Sequence, residues 1–326
     1  MAPSVGAMMT NDLPEASLST SGAYPIDVLS FLSDCQSRGG HCALVVVTGV
    51  EGGSVRTPGA LMGVAANGKV IGYVSNGCID ADLIVQAQRA MASGSLCQLR
   101  YGQGSPFIDL RLPCGGALDL LIVPDPDAKR VQQACRLLAA RQPVDLMLGP
   151  AGIATSRAAR NRQMGDNIFR LMPKPRIRIV GVGAELLAIA RVAAAAELDV
   201  LVQTPDANAH EAAAAVGLRT DRLTSWTALP ALHDDAWTAV VLMFHDHDWE
   251  GDILAQALGG PAFYIGALGS TRTHARRIDG LRERGIAETE LIRVRGPIGL
   301  VSSLRDAPSL AISTLAEIIA ELPGAE

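Results

Sequence analysis

The sequence is short of aromatic side chains, of positive charge and of long apolar runs. Aromatics make up 4% of its 326 residues, so few rings are available for base stacking. Lys and Arg total 28 against 33 Asp and Glu, and the formal net charge is −5. That balance argues against nucleic acid, whose binding rests on clustered cations. No window reaches the ~18–20 consecutive apolar residues that a membrane span needs. Residues 1–22 lack a basic n-region and an apolar h-region, and are rich in Ser, Thr and Ala. No secretory signal is expected there, and the segment reads as a disordered tail. The expectation is a cytoplasmic protein whose thiols stay reduced. The six cysteines include no CxxC pair, which excludes a zinc ribbon or a thioredoxin-type motif by spacing.

Apolar residues, by contrast, reach 48% against 19% charged, the composition of a globular chain with a large core. The length suits two domains of roughly 100–200 residues each. Helical spacing from Pro25, a buried-strand run over Cys42–Val50 and the Asn67-Gly68 hairpin signal open the chain. A helix over Asp80–Ala92, strands near Leu96–Tyr101 and Ala117–Val123, a helix over Asp127–Arg141 and a strand at Val144–Leu148 follow. Residues 150–175 are mixed in character and end in Pro173-Lys174-Pro175, the candidate boundary. Beyond it, short apolar strands at Ile177–Val180, Val200–Gln203, Ala239–Phe244 and Ala262–Ile265 alternate with helices. That alternation indicates a parallel, doubly wound sheet. A last helix, Pro308–Leu322, carries Ile312, Leu315, Ile318 and Ile319 as its expected buried stripe. The fold class expected is α/β: an N-terminal α+β domain over 23–172 and a C-terminal Rossmann-like domain over 173–326.

All six cysteines fall in the first half, whereas five of six histidines fall in the second. Cys78 sits at a strand-to-helix junction and Cys114 in a glycine loop, where thiols stay accessible and reactive. An inert, buried thiol is the competing reading at both. Cys35, Cys42, Cys97 and Cys135 fall within helices or strands and read as small core hydrophobes. Gly52-Gly53-Ser54-Val55-Arg56-Thr57-Pro58-Gly59-Ala60 follows a buried strand. Its backbone N–H groups and Arg56 suit an anion, against a plain glycine turn with a surface arginine. Gly181-Val182-Gly183 resembles a nucleotide-binding turn. The third small residue is replaced by Leu186, and Thr204 stands where a ribose-reading acid is expected. His245-Asp246-His247-Asp248 follows the third apolar strand. His245 and Asp246 are the better pair for a metal or for acid and base, against a solvated capping loop. Gly266–Arg272 is either a second anion cradle or a simple turn with Ser270 as helix cap.

Taken in order, several blocks resemble the XdhC/CoxI family of molybdenum hydroxylase accessory proteins. They are Gly53–Ala60 with Met62, Gly77-Cys78-Ile79-Asp80, Cys114-Gly115-Gly116, Gly181-Val182-Gly183, His245-Asp246, Tyr264–Ser270 and Gly296-Pro297-Ile298-Gly299-Leu300. The likeness runs from about residue 25 to 322. It implies a protein that binds molybdenum cofactor (molybdopterin), guards it during sulfuration by a cysteine desulfurase and inserts it into a xanthine dehydrogenase-like apoenzyme. It also implies a homodimer, and a chaperone rather than a catalyst. Carried over by position, Cys78 and Cys114 are the metal-end thiols. Gly53, Ser54, Arg56, Gly59, Asp80 and Gly115 surround the pterin or phosphate, with Gly181, Gly183, His245, Asp246 and Ser270 on a facing cleft between the domains. The chain departs from the family pattern at Asp80 (usually Glu), Ala184-Glu185, Thr204 and Val301. The negative Glu185 opposes a phosphate, so a bound nucleotide is not the expectation. The rivals are an NAD(P)-dependent oxidoreductase and a cofactor-free docking protein.

Overall fold

The computed structural model describes Gly22 and residues 24–53, 56–75, 77–105, 115–150, 152–157, 167–225, 229–230, 234–244, 249–301 and 303–323. The chain forms two compact units. One runs to Gln132 and takes back Leu148–Ala154; the other takes Gln133–Met147 and the chain from Thr155.

In the first unit, Pro25 presets the opening turn of α1 (Pro25–Ser37), which buries Val28, Leu29 and Leu32. β1 (Cys42–Glu51) follows, then the hairpin of β2 (Leu61–Ala65) and β3 (Val70–Gly72) around Asn67-Gly68. α2 (Asp80–Ser93) stops at a left-handed Gly94, and β4 (Cys97–Gly102) and β5 (Ala117–Pro124) complete an antiparallel sheet of order β3-β2-β1-β5-β4. β1 is apolar without alternation because both of its faces are covered. Ala43, Val45 and Val47 pack with Leu83 and Ala87 of α2. Leu44 pairs with Gly63, against which Phe31 of α1 rests.

α3 (Ala128–Ala139) leads into β6 (Val144–Gly149), β7 (Gly152–Arg157) and β8 (Ile168–Leu171), a three-stranded sheet of order β7-β6-β8. The stretch expected to be a plain linker therefore carries two strands, too short and polar to show a period.

The second unit alternates β9 (Arg176–Gly181), α4 (Gly183–Ala195), β10 (Asp199–Thr204), α5 (Ala207–Ala215), β11 (Arg219–Arg222), β12 (Thr238–Met243), α6 (Glu250–Leu258), β13 (Tyr264–Ala267), α7 (Thr271–Glu283), α8 (Glu288–Leu291), β14 (Val294–Arg295) and α9 (Ala307–Ala320). The sheet is parallel, in the order β11-β10-β9-β12-β13-β14. This is the Rossmann order, reversing between β9 and β12. β11, α8 and β14 escape the sequence reading because they hold two to four residues each and β11 is wholly polar. On α9 the expected stripe is corrected. The helix buries Leu310, Ala311, Thr314, Leu315 and Ile318, and its packing partner is α4. Ile312 and Ile319, seven residues apart on the far side, are 62% and 42% exposed.

One side chain ties Gln133–Met147 to the parallel sheet. Arg141 donates through Nε and Nη2 to Asp235 at 2.6 and 2.9 Å, and also to the carbonyls of Lys174 and Trp237. Burial pushes the Asp235 carboxyl up, but the Arg141 hydrogen bond and charge, with the Trp237 N–H and Thr238, outweigh it and hold it below the usual range. Its contribution to stability is therefore complete above the unfolded carboxylate pKa and is lost as the medium turns acid. We expect Arg141→Ala to cost about 3 kcal/mol in chemical unfolding, since Asp235 is left without its partner. Arg141→Lys should not restore the loss, because an ammonium lacks the fork. Asp235→Asn should flatten the fall in stability between about pH 5 and pH 3.

Candidate functional site

The end of β1 and the start of β5 bring two glycine turns together. A Cβ on Gly116 would lie 2.3 Å from the Glu51 carbonyl oxygen and 3.1 Å from that of Gly53. One on Gly52 would lie 3.2 Å from the Gly116 Cα. Side chains are thus excluded from both turns, and backbone alone forms this edge. Gly52 and Gly115 adopt φ of +73° and +69°, a region that glycine enters without strain. Arg100 steadies the edge, pairing with Glu51 at 2.6 Å and with both Asp119 oxygens at 3.0 and 2.9 Å.

Arg56 lies with its guanidinium 4.6 Å from the centre of the Tyr73 ring and donates from Nη1 to the Tyr73 hydroxyl at 3.4 Å. Such a cation–π contact fixes a long side chain while leaving it charged. Gly59 donates to the Val47 carbonyl at 2.8 Å, so its φ of +93° serves to turn the loop back onto β1. From Tyr73 the chain runs through Ser75 to Cys78. Ser75 donates to Asp80 at 2.5 Å, which ties the strand end to the first residue of α2. Between them, Gly77 takes φ of +91° with open space around it. Cys78 is exposed. A second tie, Tyr101 to Asp82 at 2.5 Å, holds the same helix end. Burial, then the bond to Asp82, drives the Tyr101 phenol far above its ordinary range, so it stays a donor.

The other described thiols differ. Cys42 is buried, and Cys35, Cys97 and Cys135 are half-buried. Burial, the neighbouring Cys35 thiol and Asp125 push the Cys42 thiol up to about 12. Cys114, Ser54, His245 and Asp246 lie outside the described residues.

In the second unit the turn Gly181-Val182-Gly183 joins β9 to α4. A Cβ on Gly181 would fall 2.3 Å from the Met243 carbonyl oxygen, so this glycine lets β9 and β12 close on one another. At Gly183, φ is +91° and the Glu185 carboxylate lies 3.1 Å from where a Cβ would be. Asp206 caps α5, accepting from Asn208 and Ala209 N–H groups, and the buried Thr204 hydroxyl accepts from the Asp206 N–H at 3.1 Å. Ser270 caps α7 by accepting from the Thr273 N–H at 3.2 Å. Buried charge supports the same edge. Arg277 grips Glu250 through Nε and Nη2 at 3.0 and 2.9 Å and donates to the Leu268 carbonyl at 2.7 Å. Sequence reasoning missed Tyr73, Glu250 and Arg277. Nothing in local spacing points to them, since their partners lie 17 and 27 residues away. Among the described residues, no group of three or more His, Cys, Asp or Glu is arranged to hold a metal ion, and no helix is long and apolar enough to cross a membrane.

Comparison with known proteins gives the following. Residues 35–102 match the model described as the XdhC and CoxI family, and residues 177–318 match that of the XdhC Rossmann domain. The molybdenum cofactor insertion chaperone PaoD of Escherichia coli is 33% identical over 293 residues, covering 89% of this chain and 86% of PaoD. A Bacillus halodurans crystal structure titled as a xanthine dehydrogenase superposes with a TM-score of 0.73. It is 20% identical and covers 90% of this chain and 95% of that one, a likeness in fold.

The thiols should separate by reactivity. With iodoacetamide at mildly alkaline pH, Cys78 is expected to label in the native protein while Cys42 stays protected until denaturant is added. Peptide mass spectrometry reads both, and equal labelling rates would contradict this geometry.

Proposed function

The chain belongs to the XdhC and CoxI family, and from that footing we propose that it is a molybdenum-cofactor chaperone serving a xanthine dehydrogenase-like molybdenum hydroxylase. The observation that carries the reading is the near full-length kinship with an insertion chaperone. The chemistry of the first unit agrees with such a cargo, which pairs a thiophilic metal with an anionic phosphate. An exposed thiol at Cys78 offers a soft ligand. Cys114, one residue before the glycine turn at Gly115, is assigned as the second. Gly53 and Ser54 would present backbone donors, Gly59 would turn the loop back through its own bond to Val47, and Arg56, already oriented by Tyr73, would present a forked cation for the phosphate. Asp80 acts through Ser75, keeping the start of α2 in place beside Cys78.

The finer parts of the proposal are these. The cargo receives sulfur from a cysteine desulfurase while it is held, the chaperone works in the cytoplasm, and it acts as a homodimer. A carrier must also release what it holds, and several modest contacts serve that better than one tight cage. The NAD(P)-dependent oxidoreductase is the weaker reading. Glu185 stands at the turn where a pyrophosphate would approach, and Asp206 is engaged as a helix cap.

Protein purified without oxygen from cells that make the cofactor is expected to carry molybdenum and a fluorescent pterin in near-equal amounts. Cys78→Ala/Cys114→Ala should lower both by roughly tenfold or more and leave the client hydroxylase inactive. Bound nicotinamide without pterin, or full client activity with the double variant, would overturn the proposal.

A further inference from the structure

A cavity of about 290 Å³ lies between the first turn of α6 and the second half of α7, lined by Glu250, Gly251, Arg276, Arg277, Gly280 and Arg284 together with Leu281. We propose that it is an oxyanion site that takes a phosphate group, as free phosphate or as a small phosphate monoester. None of its residues belongs to the cargo machinery assigned above, and the site does not rest on that reading. It is also built on other elements than the turn before α4, where this fold ordinarily seats a nucleotide's phosphates.

Charge comes first. The chain as a whole is acidic, with a formal net charge of −5. Yet three arginines line this cavity against one carboxylate, that of Glu250. Asp252 meets Arg284, so one positive charge is left unbalanced, and it falls to Arg276. That residue is exposed and has no ion pair or hydrogen bond among the described residues. Guanidinium groups gathered around one space repel one another, and an anion set between them replaces that repulsion with attraction.

The second observation is a buried donor without an acceptor. The Arg277 side chain is 2% exposed and commits Nε and Nη2 to Glu250 and the Leu268 carbonyl. Its Nη1, on the guanidinium edge turned away from Glu250, is buried and has no partner among the described residues. Native folds leave few such donors, because each forfeits a hydrogen bond that water would have made. A ligand oxygen entering from the cavity would satisfy it.

The helix start and two glycines complete the site. α6 opens at Trp249, which gives no side-chain cap, so its leading N–H groups are not answered in the usual way. Glu250 and Asp252 already offset the positive end of the helix, so the arginines supply the main attraction. A Cβ on Gly251 would fall 2.5 Å from the Arg284 Cζ; the guanidinium therefore lies directly against the backbone of that turn. Gly280 stands inside α7 with nothing within 4 Å of where its Cβ would be. Glycine weakens a helix interior, and no packing contact here requires it. Its missing side chain keeps the cavity open.

This arrangement favours a tetrahedral dianion over a carboxylate. Arginines reach the space from three positions and the start of α6 from a fourth; the four oxygens of a phosphate serve them where a planar carboxylate has two. The volume stands at the low end of the ~300–1,000 Å³ common for organic ligands, which leaves room for a few carbons beside the phosphate.

The test is calorimetric titration of sodium phosphate into the full chain, purified from cells that make no molybdenum cofactor, with sodium chloride at matched ionic strength as the control. We expect saturable binding, weakened about tenfold or more in Arg276→Gln and in Arg284→Gln, the loss expected for one charge-assisted hydrogen bond. Gly280→Glu, which sets a carboxylate in the cavity, should abolish it, with circular dichroism showing the helices intact. Arg56 offers phosphate a place of its own, so the titration is repeated on Arg56→Ala; the heat that Gly280→Glu removes should persist there. Glycerol phosphate binding more tightly than phosphate assigns a monoester, and binding no more tightly assigns the free ion. Chloride matching phosphate, Arg276→Gln and Gly280→Glu chains binding as the unaltered one does, or loss of all binding in Arg56→Ala would overturn the site.

Discussion

Two backbones cannot approach closely at the end of a sheet if either carries a side chain at the crossing. Among the described residues the fold meets this constraint in both units, most sharply at one glycine in each. At Gly116 a methyl group would lie 2.3 Å from the Glu51 carbonyl, and at Gly181 one would lie 2.3 Å from that of Met243. Such separations are far inside van der Waals contact, so any larger residue would prise the strands apart. The consequences differ. In the first unit the excluded side chains leave an edge of bare backbone beside the Gly52-Gly53 turn. In the second, the close approach sets β9 against β12 at the switch point, and with it the start of α4 and the position of Glu185.

Charge is handled differently at the two ends of the parallel sheet. At the amino end, Arg141, Arg176 and Arg219 converge on Asp199 and Asp235, a network that fastens the chain and leaves little for a ligand. At the carboxyl end, Arg277 and Glu250 are buried as a bidentate pair that also secures the Leu268 carbonyl. This arrangement brings a rigid wall to the place where α/β sheets take their ligands. Glu185 and Arg305 both line another cavity at that edge.

Much of this fold was legible in the sequence because its longer elements obey simple periods. The unbroken apolar run of β1, the Asn67-Gly68 turn and the alternation of strand and helix after Pro175 each name their own structure. Short or polar pieces were not legible. β11 has no apolar residue, and β14 is two residues long. The α9 stripe was misjudged because isoleucine marks hydrophobicity, not direction; packing on α4 chose Leu315 and Ile318 and left Ile312 outside. At the candidate site, local motifs pointed to Arg56, Cys78 and the glycine turns. Tyr73 beneath Arg56 and Asp235 against Arg141 are joined only by the fold, 17 and 94 residues from their partners. At Gly181 the sequence showed the glycine but not the close approach to Met243 that the fold adds.

The account turns on a cysteine sulfur of the first unit meeting the metal of a molybdenum cargo. Molybdenum-edge X-ray absorption on the loaded chaperone tests that contact directly. The account predicts molybdenum–sulfur scattering at thiolate distance in addition to that of the pterin dithiolene, reduced in amplitude when Cys78 is replaced by serine. Identical sulfur coordination in the two proteins, with molybdenum still bound, would contradict it.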